Sequence, residues 1–439
     1  LDVNLMDICE STLHRQLNVN QADWGCVVLM EVKTGEIKAM CNLKLDTEDG
    51  KYYETDNNAV KRVEPGSTFK TIALMAAMDD GKIDMEDSIE VWGKGWKYYD
   101  AKHTDAHPAD TIYSIRNAMA VSSNIALARI VTDGYKGSAK KFVQKLQRMG
   151  LTDSVDYVIP GAEQAKILVP KDTVTISRMA YGYSVEMSPL QTVMFYNAIA
   201  NNGKMVAPML VKEIRSNGET IKTFETSVVK NSICGSQTLE DIKTCLHDVV
   251  WDNNLGTASV YKWKGHIAKY KAQSAIVPIA GKTGTASETR DVWFSGYTPY
   301  YTGSVWLGFD ENNATLNKAE ESTHTKIWSK IMTLVHEGLE DKEIMEKPEN
   351  IIEVEVCSKA GKLPTPGLCD KHIYKEFFVE GTEPLESCDV HVYGFVCETD
   401  GVMSTMYCPY KIEGSVEQVP VEHELLQPGS RLGALLYSL

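Results

Sequence analysis

The segment EPGSTFKTIALMAAM, residues 64–78, places Ser67 and Lys70 three positions apart at the head of an apolar run. On a helix those two side chains share a face, so a hydroxyl and an amine would meet one turn apart. Burying a charged lysine is costly, and apolar surroundings lower its pKa. A neutral amine there can take the serine's proton and leave an activated nucleophile. The start of a helix also aims backbone N–H groups at incoming negative charge. A capping serine followed by a snorkelling lysine is the plainer reading of S-x-x-K on its own.

Two more segments carry groups that could complete such a site. The triplet Ser122–Ser123–Asn124 interrupts two apolar helical stretches, where a hydroxyl could relay a proton and an amide could hold a substrate carbonyl. In AGKTGTA, residues 280–286, Lys282 brings an ammonium group, and Thr283 and Thr285 bring hydroxyls at the two-residue period of a strand. Gly284 permits close backbone approach, so the strand could bind a peptide carboxylate and pair with an extended substrate. GKT is not a phosphate loop here, because that motif requires glycine where the chain has Ile276. A second KTG, Lys33–Gly35, reads as a solvent-facing hairpin turn and is assigned no chemistry.

In this order, S-x-x-K, the S-S-N triplet and K-T-G resemble the penicillin-binding transpeptidase family. SPLQTVMFYNAIANNGKMV and WFSGYTP are also similar to family text, and the resemblance covers roughly residues 1 to 340. It implies that Lys70 deprotonates Ser67, which attacks the penultimate D-Ala carbonyl of a peptidoglycan stem peptide. The backbone N–H groups of Ser67 and Thr285 would form an oxyanion hole, worth about 3 kcal/mol per donor. Thr283 and Thr285, beside Gly284, would hold the terminal carboxylate, with Lys282 adding charge. Ser122 would pass a proton to the leaving D-Ala, and Asn124 would orient the peptide. β-Lactams would mimic D-Ala-D-Ala and leave Ser67 acylated. No cofactor and no metal are implied. Within the family, the EPGSTFK text resembles class B enzymes of the division or elongation type, whereas RDVWFSGYTP, VWLGFD and EFFVEGTEP resemble class A. Class B is the expected subclass. A β-lactam sensor, or a D,D-carboxypeptidase releasing D-Ala to water, is the alternative.

These segments need a frame. WGCVVLMEVKTGEIKAMCNL predicts a hairpin at a sheet edge, residues 67–81 a helix apolar all round, and residues 111–137 two helical pieces broken at the triplet. A buried helix within 188–208 that ends in a glycine turn, strands around KTG and WFSGY, and an amphipathic helix over 325–341 follow. The pattern predicts an α+β fold with a central antiparallel sheet flanked by helices over residues 1–348. A small Cys-rich extension is expected over 349–439.

The bulk properties limit partners. A net charge of −15 excludes a nucleic-acid partner, and no apolar run is long enough to span a membrane. The abrupt start at Leu1 reads as a fragment, with a membrane anchor expected upstream and the domain outside the bacterial inner membrane beside the cell-wall synthesis machinery. Cys357, Cys369, Cys388, Cys397 and Cys408 crowd the last quarter outside C-x-x-C spacing, which favours disulfides over zinc. HTDAH, with His103, Asp105, His107 and nearby Asp110, reads as a polar loop rather than a metal site. No glycine fingerprint for a dinucleotide follows a strand.

Overall fold

The computed structural model describes residues 1–153, 159, 161–252, 254–259, 279–285, 291–309, 323–339, 351–370, 372–397, 404 and 410–417. The chain divides into two compact units, Leu1–Met345 and Glu346–Leu439.

The first unit begins with helix α1, Val3–Asn20, capped by the Asp2 carboxylate, which accepts from the N–H groups of Asn4 and Leu5. Strands β1 (Trp24–Glu31), β2 (Ile37–Leu45) and β3 (Tyr52–Glu54) follow, then α2 (Phe69–Asp79), α3 (Ile115–Ala120), α4 (Asn124–Gly134), α5 (Pro189–Ala200) and α6 (Ser236–Trp251). Strands β4 (Ala280–Thr285), β5 (Asp291–Tyr297) and β6 (Tyr301–Gly308) and helix α7 (Thr323–Val335) come later, with shorter helices and two-stranded pairs between. The six strands form one antiparallel sheet in the order β4-β5-β6-β1-β2-β3.

Alternate residues of β1 point to opposite sides of the sheet. Val27 and Leu29 join a core with Leu13 and Leu17 of α1 and Ile327, Trp328 and Met332 of α7. Val28 and Met30 join another with Leu190 and Val193 of α5. Both faces are covered, so β1 reads as a continuous apolar run rather than an alternating one. The same fact corrects the expected edge position of the β1–β2 hairpin. Apolar side chains on both faces of β1 call for an interior strand, and β1 lies between β6 and β2 with β4 and β3 at the edges.

Beyond the sheet, α2 is buried from Phe69 through Met78 and sits in a helical core with α3, α4 and α6. The two helical pieces expected around the triplet are α3 and α4, but Thr111–Ser114 is a strand paired with Ser88–Val91. Its Ser114 caps α3, accepting from the Asn117 N–H. Helix α5 starts in a capping box between Ser188 and Gln191. Asn197 ties α5 to the sheet, donating to the Val32 carbonyl at 2.9 Å and accepting from the Thr302 hydroxyl at 2.9 Å. Aromatic side chains pack within the sheet: Trp293 stacks on Trp306 at 4.6 Å, and Tyr297 is buried.

The second unit holds two antiparallel pairs, β7 (Ile351–Cys357) with β8 (Ile373–Val379), and β9 (His391–Cys397) with β10 (Lys411–Glu417). The disulfides expected here are not formed among the described residues. Cys357, Cys369 and Cys388 are free thiols gathered around His391, a residue that cysteine spacing alone leaves out of account. Cys408 and the side chain of Cys397 lie outside the described residues.

Candidate active site

Ser67 sits in a single 3-10 turn, Gly66–Thr68, that runs into α2. It is not a helix cap, since neither the turn nor α2 has a side-chain cap, and among the described residues its hydroxyl makes no hydrogen bond. The turn is held from several sides. The Thr68 hydroxyl donates to the Pro65 carbonyl at 2.7 Å, and Tyr196 of α5 donates to the Thr68 carbonyl at 2.9 Å. The Tyr196 hydroxyl also shares a hydrogen bond of 2.8 Å with Thr71.

Gly182, at φ +93°, runs so close that a Cβ there would lie 2.1 Å from the Gly66 carbonyl oxygen. Gly182→Ala therefore combines a left-handed backbone penalty with a backbone clash. Chemical denaturation is expected to show a loss of at least about 2 kcal/mol. Wild-type stability would show that the Ser67 turn tolerates displacement.

Lys70, the second residue of α2, is fully buried. Its Nζ donates to the Ser122 carbonyl at 2.6 Å and the Ser122 hydroxyl at 3.0 Å. Burial lowers its pKa to about 7, with the nearby Asp105 carboxylate opposing the shift. Ser122 lies between α3 and α4 with φ +57°, a left-handed conformation that non-glycine residues adopt only when their surroundings enforce it.

Asp105 enforces it. Its Oδ1 accepts from the N–H groups of Asn124 at 2.6 Å and Ile125 at 3.0 Å, and its Oδ2 from the Ser123 hydroxyl at 2.7 Å. Ser123 in turn caps α4, accepting from the Ala126 N–H at 3.0 Å. The Asn124 side-chain amide donates to the Thr104 carbonyl at 2.8 Å. His103 meets the Tyr181 hydroxyl at 2.8 Å, so the HTDAH segment supports the triplet and α4.

Lys282 lies in β4 and is also fully buried, donating to the Thr283 carbonyl at 3.1 Å and the Thr283 hydroxyl at 3.3 Å. Burial holds its pKa well below the usual lysine value, and repulsion from Lys70 adds to the shift. His324, at the start of α7, is buried and pushed down to about 3, with Lys282 contributing. Neither Lys70 nor Lys282 forms a salt bridge among the described residues, and the Asp105 carboxylate is the anionic group that acts on Lys70 from nearby. Thr285 ends β4, exposed, and the position of a Cβ on Gly66 would be 3.6 Å from its carbonyl. Gly284 faces Thr68 as closely, with a Cβ there 3.1 Å from the Thr68 methyl. Residues 286–290 lie outside the described residues.

A tether joins the last two motifs. The Thr257 N–H donates to the Ala120 carbonyl at the end of α3 at 3.0 Å, and its hydroxyl shares a 2.8 Å hydrogen bond with Thr283. Ser67, Lys70, Ser122, Asn124, Lys282, Thr283, Gly284 and Thr285 thus come from three distant segments that abut one another. Sequence reasoning assigned no role in the site to Asp105, Thr257 or Tyr196. The aspartate stood close before the triplet, but the contacts of Thr257 and Tyr196 span elements that no local spacing connects.

A family model described as "Penicillin binding protein transpeptidase domain" matches residues 25–333, and one described as "Penicillin-binding protein 1A, C-terminal domain" matches 347–393. Penicillin-binding protein 1A of Clostridium botulinum (strain Hall) is 25% identical over 432 residues, covering 93% of this chain and 48% of that protein. Penicillin-binding protein 1A/1B of Bacillus subtilis (strain 168) is 28% identical over 386 residues, covering 82% and 37%. The chain spans about half the length of the curated relatives it matches first. Among solved structures, the transpeptidase domain of Burkholderia pseudomallei penicillin-binding protein 3 superposes with a TM-score of 0.60 at 18% identity, covering 78% of this chain and 97% of that one. Penicillin-binding protein 2B of Streptococcus pneumoniae (strain R6) gives 0.64 at 17% identity, covering 76% and 59%. At these identities the structural likeness is one of fold.

Proposed function

Since the chain belongs to the penicillin-binding protein transpeptidase family, we propose that it is a serine D,D-transpeptidase that crosslinks peptidoglycan stem peptides and is acylated by β-lactams at Ser67. The observation that carries this reading is the buried Lys70, its pKa near 7, held against Ser122 one helical turn from Ser67. A lysine so placed is largely uncharged just above neutrality and can accept a proton.

In the proposed sequence, the Ser67 oxygen attacks the penultimate D-Ala carbonyl while its proton passes to Lys70. The N–H groups of Ser67 and Thr285 stabilise the oxyanion. As the tetrahedral intermediate collapses, the peptide C–N bond breaks and the proton moves from Lys70 through the Ser122 hydroxyl to the leaving D-Ala nitrogen. The Lys70–Ser122 hydrogen bonds support that relay. An acceptor amine then attacks the Ser67 ester, loses its proton to the same pair and frees the serine. Lys282, Thr283 and Thr285 bind the substrate's terminal carboxylate, Gly284 lets the substrate strand approach β4, and Asn124 orients its amide.

The motif text favours class B, but the 1A names of the relatives and the match of a 1A C-terminal domain model favour the class A type. We take the latter as the subclass. The proposed place of action is outside the cytoplasmic membrane, where the stem peptides are. Among the described residues, no helix is long and apolar enough to cross a membrane.

A D-Ala-D-Ala thioester analogue with and without a D-amino acid acceptor tests the reading. A transpeptidase turns over repeatedly and partitions to the acceptor. A single stoichiometric acylation with no turnover would mark a sensor, and release to water unaffected by the acceptor a carboxypeptidase.

Asp105 offers a separate check. Its charge opposes the downward shift of Lys70, so Asp105→Asn lowers the Lys70 pKa further. The rise of acylation rate with pH is expected to move to lower pH, with a stability loss of about 1–2 kcal/mol from the weakened cap. An unshifted pH profile would remove Asp105 from the electrostatics of the site.

A further inference from the structure

In the second unit, Cys357, Cys369, Cys388 and His391 converge, their four ligand atoms all within 4.8 Å of one another. We propose that these residues bind one zinc ion in a closed Cys3His site that holds the C-terminal unit together.

The geometry supports coordination. His391 Nδ1 lies 3.3 Å from the Cys357 sulfur and 3.4 Å from those of Cys369 and Cys388. A tetrahedral zinc with ordinary Zn–S and Zn–N bond lengths spaces sulfur from nitrogen by about 3.5 Å along each edge. The observed spacings match that edge on all three sides at once. A disulfide joins only two sulfurs at about 2.05 Å and would leave the third thiol and the imidazole buried together without a purpose.

Local structure aims each ligand inward. Cys357 ends β7, and Cys369 follows a tight turn in which its N–H donates to the Thr365 carbonyl at 3.0 Å. Cys388 and His391 form a C-x2-H step that opens β9. Backbone N–H groups already point at two of the sulfurs, Thr365 to Cys369 at 3.3 Å and His391 to Cys388 at 3.4 Å. Such donors stabilise thiolates once zinc has displaced their protons.

Among its described residues the unit shows no other hydrophobic cluster. Its buried cluster among the described residues consists of these three cysteines, with Ala360 and Val390 packed against it. Tyr374, Leu385, Tyr393, Phe395 and Ile412 are exposed. Two-stranded pairs are marginal alone, and small units without an apolar core depend on metals or crosslinks. A tetrahedral ion fastens the end of β7 to the start of β9, joining the two pairs. Four protein ligands leave no open position for a substrate, so the ion's role is structural. Thiolate and imidazole donors select zinc over magnesium or calcium. This site sets aside the expectation, drawn from cysteine spacing, of disulfides and no metal.

The test uses the purified full chain, reduced, loaded with Zn(II) alone and freed of excess before elemental analysis. About one zinc per chain is expected, and its removal by a strong chelator should expose the segment after Met345 to protease while covalent penicillin labelling persists. Adding Zn(II) back should restore protection. Cys388→Ser and His391→Ala are expected to weaken zinc retention at least 100-fold in chelator competition, whereas Cys234→Ser, outside the cluster, should not. Less than about a fifth of an equivalent of zinc in the loaded wild-type protein would overturn the proposal. Full retention by Cys388→Ser, or unchanged protease sensitivity on metal removal, would do so as well.

Discussion

Ser67→Ala is expected to abolish covalent labelling by fluorescent penicillin, lowering the acylation rate by at least about 10⁴-fold. In the proposed mechanism the serine hydroxyl is the group that becomes the ester, so no neighbour can replace it. Ser122 offers a rival hydroxyl, but it is held against Lys70 in a left-handed turn that Asp105 braces. The Ser67 hydroxyl, by contrast, makes no hydrogen bond among the described residues and sits in a turn braced by Tyr196 and Gly182. Because Ser67 caps no helix, its replacement by alanine removes no structural hydrogen bond, and thermal stability is expected to stay near wild type. Peptide mapping of the wild-type adduct should place the added mass on the peptide containing Ser67. Residual labelling of the alanine variant would move the nucleophile elsewhere.

Lys70→Met should slow acylation by about 10²–10⁴-fold, the range of a general base, and at the same time stabilise the fold. The second half follows from linkage. Burial lowers the Lys70 pKa from 10.5 to about 7. Between those values the unfolded chain holds a proton that the folded chain lacks, so stability rises with pH across that window and is flat below it. The penalty is greatest at and below pH 7, and methionine fills the same apolar path without it. A gain of roughly 2–4 kcal/mol in urea denaturation at pH 7 is expected after allowing for the lost hydrogen bonds to Ser122. The repulsion between Lys70 and Lys282 is relieved by the same change. A variant that acylates at the wild-type rate would exclude the amine as base, and one that is less stable would mean the buried amine is a net structural asset.

The residue types, their order and their local elements were legible in the sequence because each motif sits where its own segment dictates. The S-x-x-K pair opens a helix apolar all round, the triplet breaks a helical run, and K-T-G-T lies in a strand. What joins the segments was not legible. Lys70 meets Ser122, 52 positions away, and Tyr196 reaches Thr68 across 128. No periodicity encodes such distances. The β1–β2 hairpin was recognisable as a hairpin, but its central position depends on strands supplied nearly 280 residues later in the chain. The cysteine-rich region was misread for a chemical reason. Cysteines were counted as partners for one another, whereas the C-x2-H step at Cys388 and His391 marks a ligand set that includes an imidazole.

The central claim is that the amine of Lys70 is poised near neutrality to draw the proton from Ser67. The pH dependence of the second-order rate constant for penicillin acylation of the wild-type protein tests it most directly. The rate should rise through an apparent pKa of about 7, with the inflection lost in Lys70→Met. A rate with no inflection between about pH 6 and 9, or one that falls as pH rises through that range, would contradict a neutral lysine as the base.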